Sequence, residues 1–300
     1  MMKRVRFVFL TVACIAAATL EGAAPAKPAS RTVIVQPTPG NPTASGSALL
    51  AAIASINPSS SDPWLIRIDP GVYDLGTASL QMKSFADVEG SGEGVTTIRG
   101  SGSVVVLGSP DSELRRLTVT NAQGFLGLPA IQFGPSQGGE FRVSNVTVVA
   151  FSNNPVDSGA VEITTPGSLR MSGSTISSGG ARGINIASNL GSVVLNNVRI
   201  SGQVGVGGTG KATIVDSAID YNSIGIQPGS TFTWEIQRSS MTTQVGQTAI
   251  NVLAGASARV AVSEVQGNVV VHTGATIVCV GDYSEAFAPR NSSCEALPAP

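Results

Sequence analysis

A handful of carboxylates, amides, one imidazole and a pair of cysteines are the side chains here whose types and spacing bear on chemistry. Gln132, Glu162 and Asn185 each lie between two apolar residues, in Ile131-Gln132-Phe133, Val161-Glu162-Ile163 and Ile184-Asn185-Ile186, so strand alternation turns all three outward. Phe125, Phe151, Asn153, Asn154 and Asp157 lie in the segments leading to the first two, and Arg182 stands just before the third. Aromatic faces beside amide, guanidinium and carboxylate groups are what a sugar site needs; the competing reading makes these ordinary turns whose phenylalanines pack on their own coil. The column contains one acid, Glu162, where glycoside hydrolysis uses a pair of carboxylates. His272, the single histidine, sits in a Val-His-Thr strand without a partner acid and reads as a surface residue. Gly90-Ser91-Gly92-Glu93-Gly94 lacks the Gly-Lys-Ser/Thr that a phosphate loop places before a helix. No catalytic residue, metal cluster or cofactor motif emerges from these residues.

The elements that would position such groups come from a repeat. Four inward positions, x, x+2, x+5 and x+7, recur as Ser112, Leu114, Leu117 and Val119, then Phe141, Val143, Val146 and Val148, then Leu169, Met171, Ser174 and Ile176. They continue through Val193, Leu195, Val198 and Ile200 to Ala258, Val260, Ser263 and Val265, and after each copy comes a short alternating pair. The last anchors, from Val119 to Val265, are spaced by roughly 19 to 29 residues, the range of solenoid repeats. A step of two is strand alternation, whereas the step of three needs a bend that brings the next side chain back inside. Asn145, Gly173, Asn197 and Asp216 occupy that bend, where short polar residues and glycine tolerate unusual dihedrals. Three short strands per repeat and no helix make each unit one coil of a parallel β-helix, closed by stacking at about 4.8 Å. In the outward column beginning at Arg142 and Arg170, Glu235 and Arg259 become vertical neighbours and an expected exposed ion pair. The connections after Val119 and Val148 are the longest, so binding is expected along that edge.

With 12% charged residues, 35 glycines, 5% aromatics and a net charge of −1, the composition suits a long thin core and gives nucleic acid no basic surface to follow. Residues 1–26 read as a signal peptide, with a cationic start, an apolar stretch and Ala24-Pro25-Ala26 as its cleavage site. The apolar stretch is too short for a membrane span, so an exported rather than an integral membrane protein is expected. Residues 27–46 read as a linker with a first strand at Thr32-Val33-Ile34-Val35. Residues 47–294 form the β-helix domain, opened by a capping helix from Ser47 with Leu49, Leu50, Ile53 and Ile56 on its apolar face, and residues 295–300 a disordered tail. Cys279 and Cys294 are expected to pair in an oxidising compartment, closing a tail whose Tyr283 and Phe287 would cover the last coil.

The run from that helix through Leu65-Ile66-Arg67-Ile68-Asp69-Pro70-Gly71-Val72-Tyr73 to Val88-Glu89-Gly90-Ser91-Gly92-Glu93-Gly94-Val95-Thr96-Thr97-Ile98 resembles the opening coil of the pectin-lyase-like superfamily, pectin methylesterases above all. The resemblance implies a right-handed parallel β-helix and often a carbohydrate ligand. The superfamily's catalytic strings do not carry over. The Asp-Phe-Ile-Phe-Gly and Gly-Arg-Pro-Trp runs of the methylesterases, the Asp-Asp and Gly-His-Gly of polygalacturonases and the calcium-binding aspartates of pectate lyases have no counterpart here. The leading expectation is a secreted, non-catalytic β-helix protein with a structural or carbohydrate-binding role at the cell surface or in the periplasm. The alternative is a divergent enzyme acting on an acidic polysaccharide.

Overall fold

In each of seven successive coils a residue between the second and third inward anchors adopts the left-handed backbone conformation. Arg116 (φ 58°), Asn145 (52°), Gly173 (54°), Asn197 (54°), Asp216 (50°), Arg238 (47°) and Val262 (52°) form this series in the computed structural model. The structure describes residues 29–122, 128–134, 138–151, 159–164, 166–180, 182–188, 190–229, 232–243, 246–284 and 290–295. Residues 1–26, read from the sequence as a signal peptide, residues 296–300 of the expected tail, and Phe125, Asn153, Asn154, Asp157 and Phe287 lie outside the described residues.

The bends divide each coil into strands that stack in register as three parallel walls. The first wall runs through Arg31–Val35, Trp64–Ile68, Ala86–Glu89, the opening halves of Ser112–Asn121 and Glu140–Ala150, Gly167–Ser172 and Gly191–Asn196, and ends at Thr276–Val280. The second carries the last anchors, with Val119, Val148, Ile176, Ile200, Ile219, Met241 and Val265 paired one upon the next. The third includes Ile131–Phe133, Gly159–Ile163 and Arg182–Ile186. This is a parallel β-helix, and every anchor of the sequence template is buried in one continuous core.

Serine recurs at the third anchor for a reason that apolarity does not supply. The left-handed residue rotates the chain so that the next backbone N–H points along the solenoid axis, and a hydroxyl one coil on accepts it. Val198 N–H donates to Ser217 Oγ (3.2 Å), Ser217 N–H to Ser239 Oγ (3.2 Å) and Ser239 N–H to Ser263 Oγ (3.3 Å). Each hydroxyl in turn donates to a carbonyl two residues back, Val215, Gln237 or Ala261. At the end of the stack Asp282, 2% exposed, substitutes a carboxylate for the next serine, accepting from Ser263 N–H at 2.7 Å and Val280 N–H at 3.1 Å.

Both ends differ in detail from expectation. The helix runs Pro42–Ser55, starting before Ser47, because Asn41 Oδ1 accepts the Ala44 N–H (3.0 Å) and Pro42 fits the first turn. Gly46 lies within it because a Cβ there would stand 2.0 Å from the Asp74 carbonyl oxygen, so glycine lets the helix settle on the strand Gly71–Asp74. The Tyr73 hydroxyl ties that strand to the Val35 and Asp69 carbonyls (3.0 and 2.9 Å), and burial pushes its pKa up to about 12. At the other end Cys279 and Cys294 form a disulfide, with Cα atoms 5.3 Å apart. Tyr283 is only half-buried; closure comes chiefly from Asp282, Cys294 and Arg290, whose guanidinium donates to the carbonyls of Cys294, Val265 and Gly267.

Two sequence readings need correction. Glu235 and Arg259 are neighbours in register, yet they form none of the ion pairs found among the described residues, both side chains being free to extend into water. Val269 and Val271 form the alternating pair after the last copy, which would turn both inward, yet Val271 is 41% exposed because its strand, Asn268–Val271, has a strand neighbour on one side only among the described residues.

Two outcomes follow from this packing. A Cβ on Gly205 would lie 2.2 Å from Ile219 Cγ2 and 2.5 Å from the Gly225 carbonyl oxygen, so Gly205→Ala should cost about 1–3 kcal/mol in denaturant unfolding; an unchanged midpoint would contradict the stacking of these coils. Burial pushes the Asp282 carboxyl above the usual carboxylate range, against its two backbone hydrogen bonds and nearby Arg290. A carboxyl raised on folding contributes stability that is complete below its unfolded value and lost as pH rises through its folded value. The stability of the protein relative to Asp282→Asn should therefore decline as pH rises above about 4 in paired melting curves, and a pH-independent difference would contradict the burial of this carboxyl.

Candidate functional site

The outward column foreseen on the third wall exists and is larger than expected. Gln132 pairs with Glu162 and Glu162 with Asn185, on the strands Ile131–Phe133, Gly159–Ile163 and Arg182–Ile186. Their side chains are bonded to one another. Gln132 Nε2 donates to Glu162 Oε2 at 3.1 Å and Asn185 Nδ2 to Glu162 Oε1 at 3.3 Å, so each carboxylate oxygen holds one amide.

Arg182 joins this column by a route that spacing alone does not reveal. It opens its strand, and its Nη1 donates to Asn185 Oδ1 at 2.8 Å while Nη2 reaches Gln227 Oε1 at 3.4 Å. The outward residue between Asn185 and Gln227 in register is Gly207. With no side chain there, the guanidinium lies across the gap; a Cβ on Gly207 would meet Arg182 Nε at 3.4 Å. Ile184 and Ile186 pair with Val206 and Gly208 rather than with the next alternating pair, Val204 and Val206, so alternation alone places Gln227 outside this column. The result is a strip of alternating donors and acceptors that crosses successive coils, with Asn185 buried and the others half-buried. Phe151, 51% exposed, starts the connection that leads to the strand of Glu162.

Other clusters have more limited chemistry. On the first wall Arg115 gathers three carboxylates, with Asp87 at 3.2 Å, Glu89 at 3.0 Å and Glu113 at 3.1 Å. Burial pushes Asp87 up, opposed by the Arg115 charge. One guanidinium binding all three acids leaves them as structural counter-ions. A shallow groove of about 660 Å³ follows the bends past Asn197, Asp216, Arg238 and Tyr283. Its charged groups are already committed, since Arg238 Nε and Nη2 both donate to Asp216 at 2.8 Å, holding that carboxyl below the usual range. His272 Nε2 lies 2.9 Å from Asn251 Oδ1 on the surface. Cys279, Asp282 and Cys294 are close enough for a metal ion, but the sulfurs are bonded to each other and the carboxylate accepts two backbone N–H groups.

No family model and no curated protein matches the chain. Solved structures similar to it include pectin methylesterase PemA from Erwinia chrysanthemi, at 12% identity and a TM-score of 0.49 over 91% of this chain and 94% of that one. The pectin methylesterase from carrot is similar at 15% identity and a TM-score of 0.44, covering 84% of each chain. The A-module of the mannuronan C-5 epimerase AlgE4 from Azotobacter vinelandii is similar at 12% identity and a TM-score of 0.33, over 83% of this chain and 88% of that one.

Proposed function

We propose that this is an exported, non-catalytic β-helix protein that binds carbohydrate along the third wall, through Gln132, Glu162, Asn185, Arg182 and Gln227. The observation that carries the reading is the continuous hydrogen-bonded strip across successive coils. Such groups match the hydroxyls of a sugar, each of which both donates and accepts. Their mutual bonds hold the side chains in place before a ligand arrives, which reduces the ordering cost of binding. Exposed Phe151 offers an apolar face for the C–H side of a ring, and Arg182 favours sugars that carry a carboxylate. Export is supported by the disulfide between Cys279 and Cys294 and by the leader-like residues 1–26.

Glu162→Gln places an amide where both neighbours donate, so one hydrogen bond becomes a clash of donors. On a glycan array followed by titration of the glycan retained, this variant should bind at least about 10-fold more weakly while melting as the parent does, in keeping with a charge-assisted hydrogen bond. Full affinity in the double variant Glu162→Gln, Arg182→Met would place the site elsewhere. Release of methanol, unsaturated ends or new reducing ends from a bound polysaccharide would overturn the non-catalytic reading.

A further inference from the structure

A second cavity, of about 200 Å³, opens on the first wall near the N-terminal end, and Ala29, the first described residue, forms part of its lining. Trp64, Phe85, Asp87, Asp111 and Arg142 line it as well. Its polar groups ask for two different things. The indole Nε1 of Trp64 and Nε of Arg142 are buried donors without a hydrogen-bond partner, and such donors are nearly always satisfied in folded proteins. The two acids are placed differently. Asp87 faces the charges of Arg115 and Arg142, whereas exposed Asp111 enters none of the ion pairs found among the described residues. Asp111 is fixed by its backbone, whose N–H donates to the Glu140 carbonyl at 2.7 Å and whose carbonyl accepts the Phe85 N–H at 3.1 Å. An occupant that suits this cavity offers acceptors to two donors and a positive charge to one carboxylate.

The chain itself passes this point. Ser30 N–H donates to the Pro63 carbonyl at 2.9 Å, while Arg31 pairs with Asp62 at 3.2 Å and its guanidinium lies 5.2 Å from the centre of the Trp64 ring. These contacts hold the chain beside Trp64 immediately after Ala29. Cleavage at Ala24-Pro25-Ala26 leaves Lys27 and Pro28 ahead of Ala29, and two residues reach at most about 7 Å, a length that keeps their groups at the cavity. Those groups are the ones required. Pro28 brings a carbonyl and no N–H, and Lys27 brings a second carbonyl and, once cleaved, an ammonium.

We propose that this cavity receives the chain's own N-terminus after removal of the leader, with the α-ammonium of Lys27 on the Asp111 carboxylate and the carbonyls of Lys27 and Pro28 taking the donors of Trp64 and Arg142. The proposal rests on the export reading, because the ammonium exists only after cleavage. In the precursor the same nitrogen is a neutral peptide N–H and cannot balance Asp111. The α-ammonium is a better fit than the Lys27 side chain, which would lose its rotamer freedom on entering the cavity. Processing thereby seals the first coil, and the mature chain differs from its precursor at this end of the solenoid.

The chain has two tryptophans, and Trp234 is fully buried with its N–H bonded to the Gly210 carbonyl at 2.7 Å, so quenching of emission by acrylamide reports Trp64. A chain released from a fusion to begin at Lys27 should be quenched at least twofold less than one released to begin at Ala29. Asp111→Asn should raise quenching of the first to the level of the second and leave the second unchanged, the coupling of two groups that touch. A chain that begins at Ala24 keeps the Lys27 side chain but moves the ammonium away, and should be quenched like the chain from Ala29. Equal quenching of the chains from Lys27 and Ala29, an equal effect of Asp111→Asn in both, or protection retained in the chain from Ala24 would each overturn the proposal. Protection that grows with protein concentration would overturn it in favour of the N-terminus of a second copy. The export reading is tested apart from this, by the mass of the exported protein: a chain that does not begin at Lys27 refutes the cleavage, whatever the quenching of the chain made to begin there.

Discussion

The bend between the first and second walls is where this fold is decided. Strand pairing satisfies backbone groups along each wall, but a chain that turns through a left-handed residue sends the following N–H up the axis, away from any carbonyl in its own coil. In a buried position that donor has to be met. Ser217, Ser239 and Ser263 meet it one coil at a time, and Asp282 meets the last. A slip of one residue in any coil would remove the hydroxyl from its donor and also turn the anchors outward. The bend thus locks the register, and with it every outward column in which a ligand group can be placed.

Much of this was legible because the constraint repeats. The template anchors could be counted along the chain, and every one is buried. Asn145, Gly173, Asn197 and Asp216 marked the bend by residue type, since all tolerate positive φ. Arg116, Arg238 and Val262 hold the same conformation without any such local preference; a β-branched valine at φ 52° is imposed by the stacked coils around it. The early start of the helix was hidden for a similar reason. Pro42 and Gly46 are turn signals by composition, yet proline suits a first helical turn and glycine suits a helix pressed against Asp74.

Legibility of the candidate groups followed the same line. Gln132, Glu162 and Asn185 could be aligned by alternation, because no irregularity intervenes between their strands. Gln227 could not, because Ile184 and Ile186 pair with Val206 and Gly208 rather than with the alternating pair Val204 and Val206, and because Arg182 reaches it over Gly207, an absence of side chain that no pattern flags. A small cavity lined by Trp64, Phe85, Asp111 and Arg142 was beyond counting altogether. Its edge is made by Phe85 and Asp111, non-glycine residues at φ 63° and 55° just ahead of two first-wall strands, so its existence depends on corner geometry rather than on strand periodicity.

How the polar groups of the third wall are satisfied bears on what that wall can hold. On the third wall each carboxylate oxygen of Glu162 already has an amide, so a sugar must replace existing hydrogen bonds and gains only the difference at each coil. Useful affinity there comes from adding small gains over several coils, which suits an extended chain.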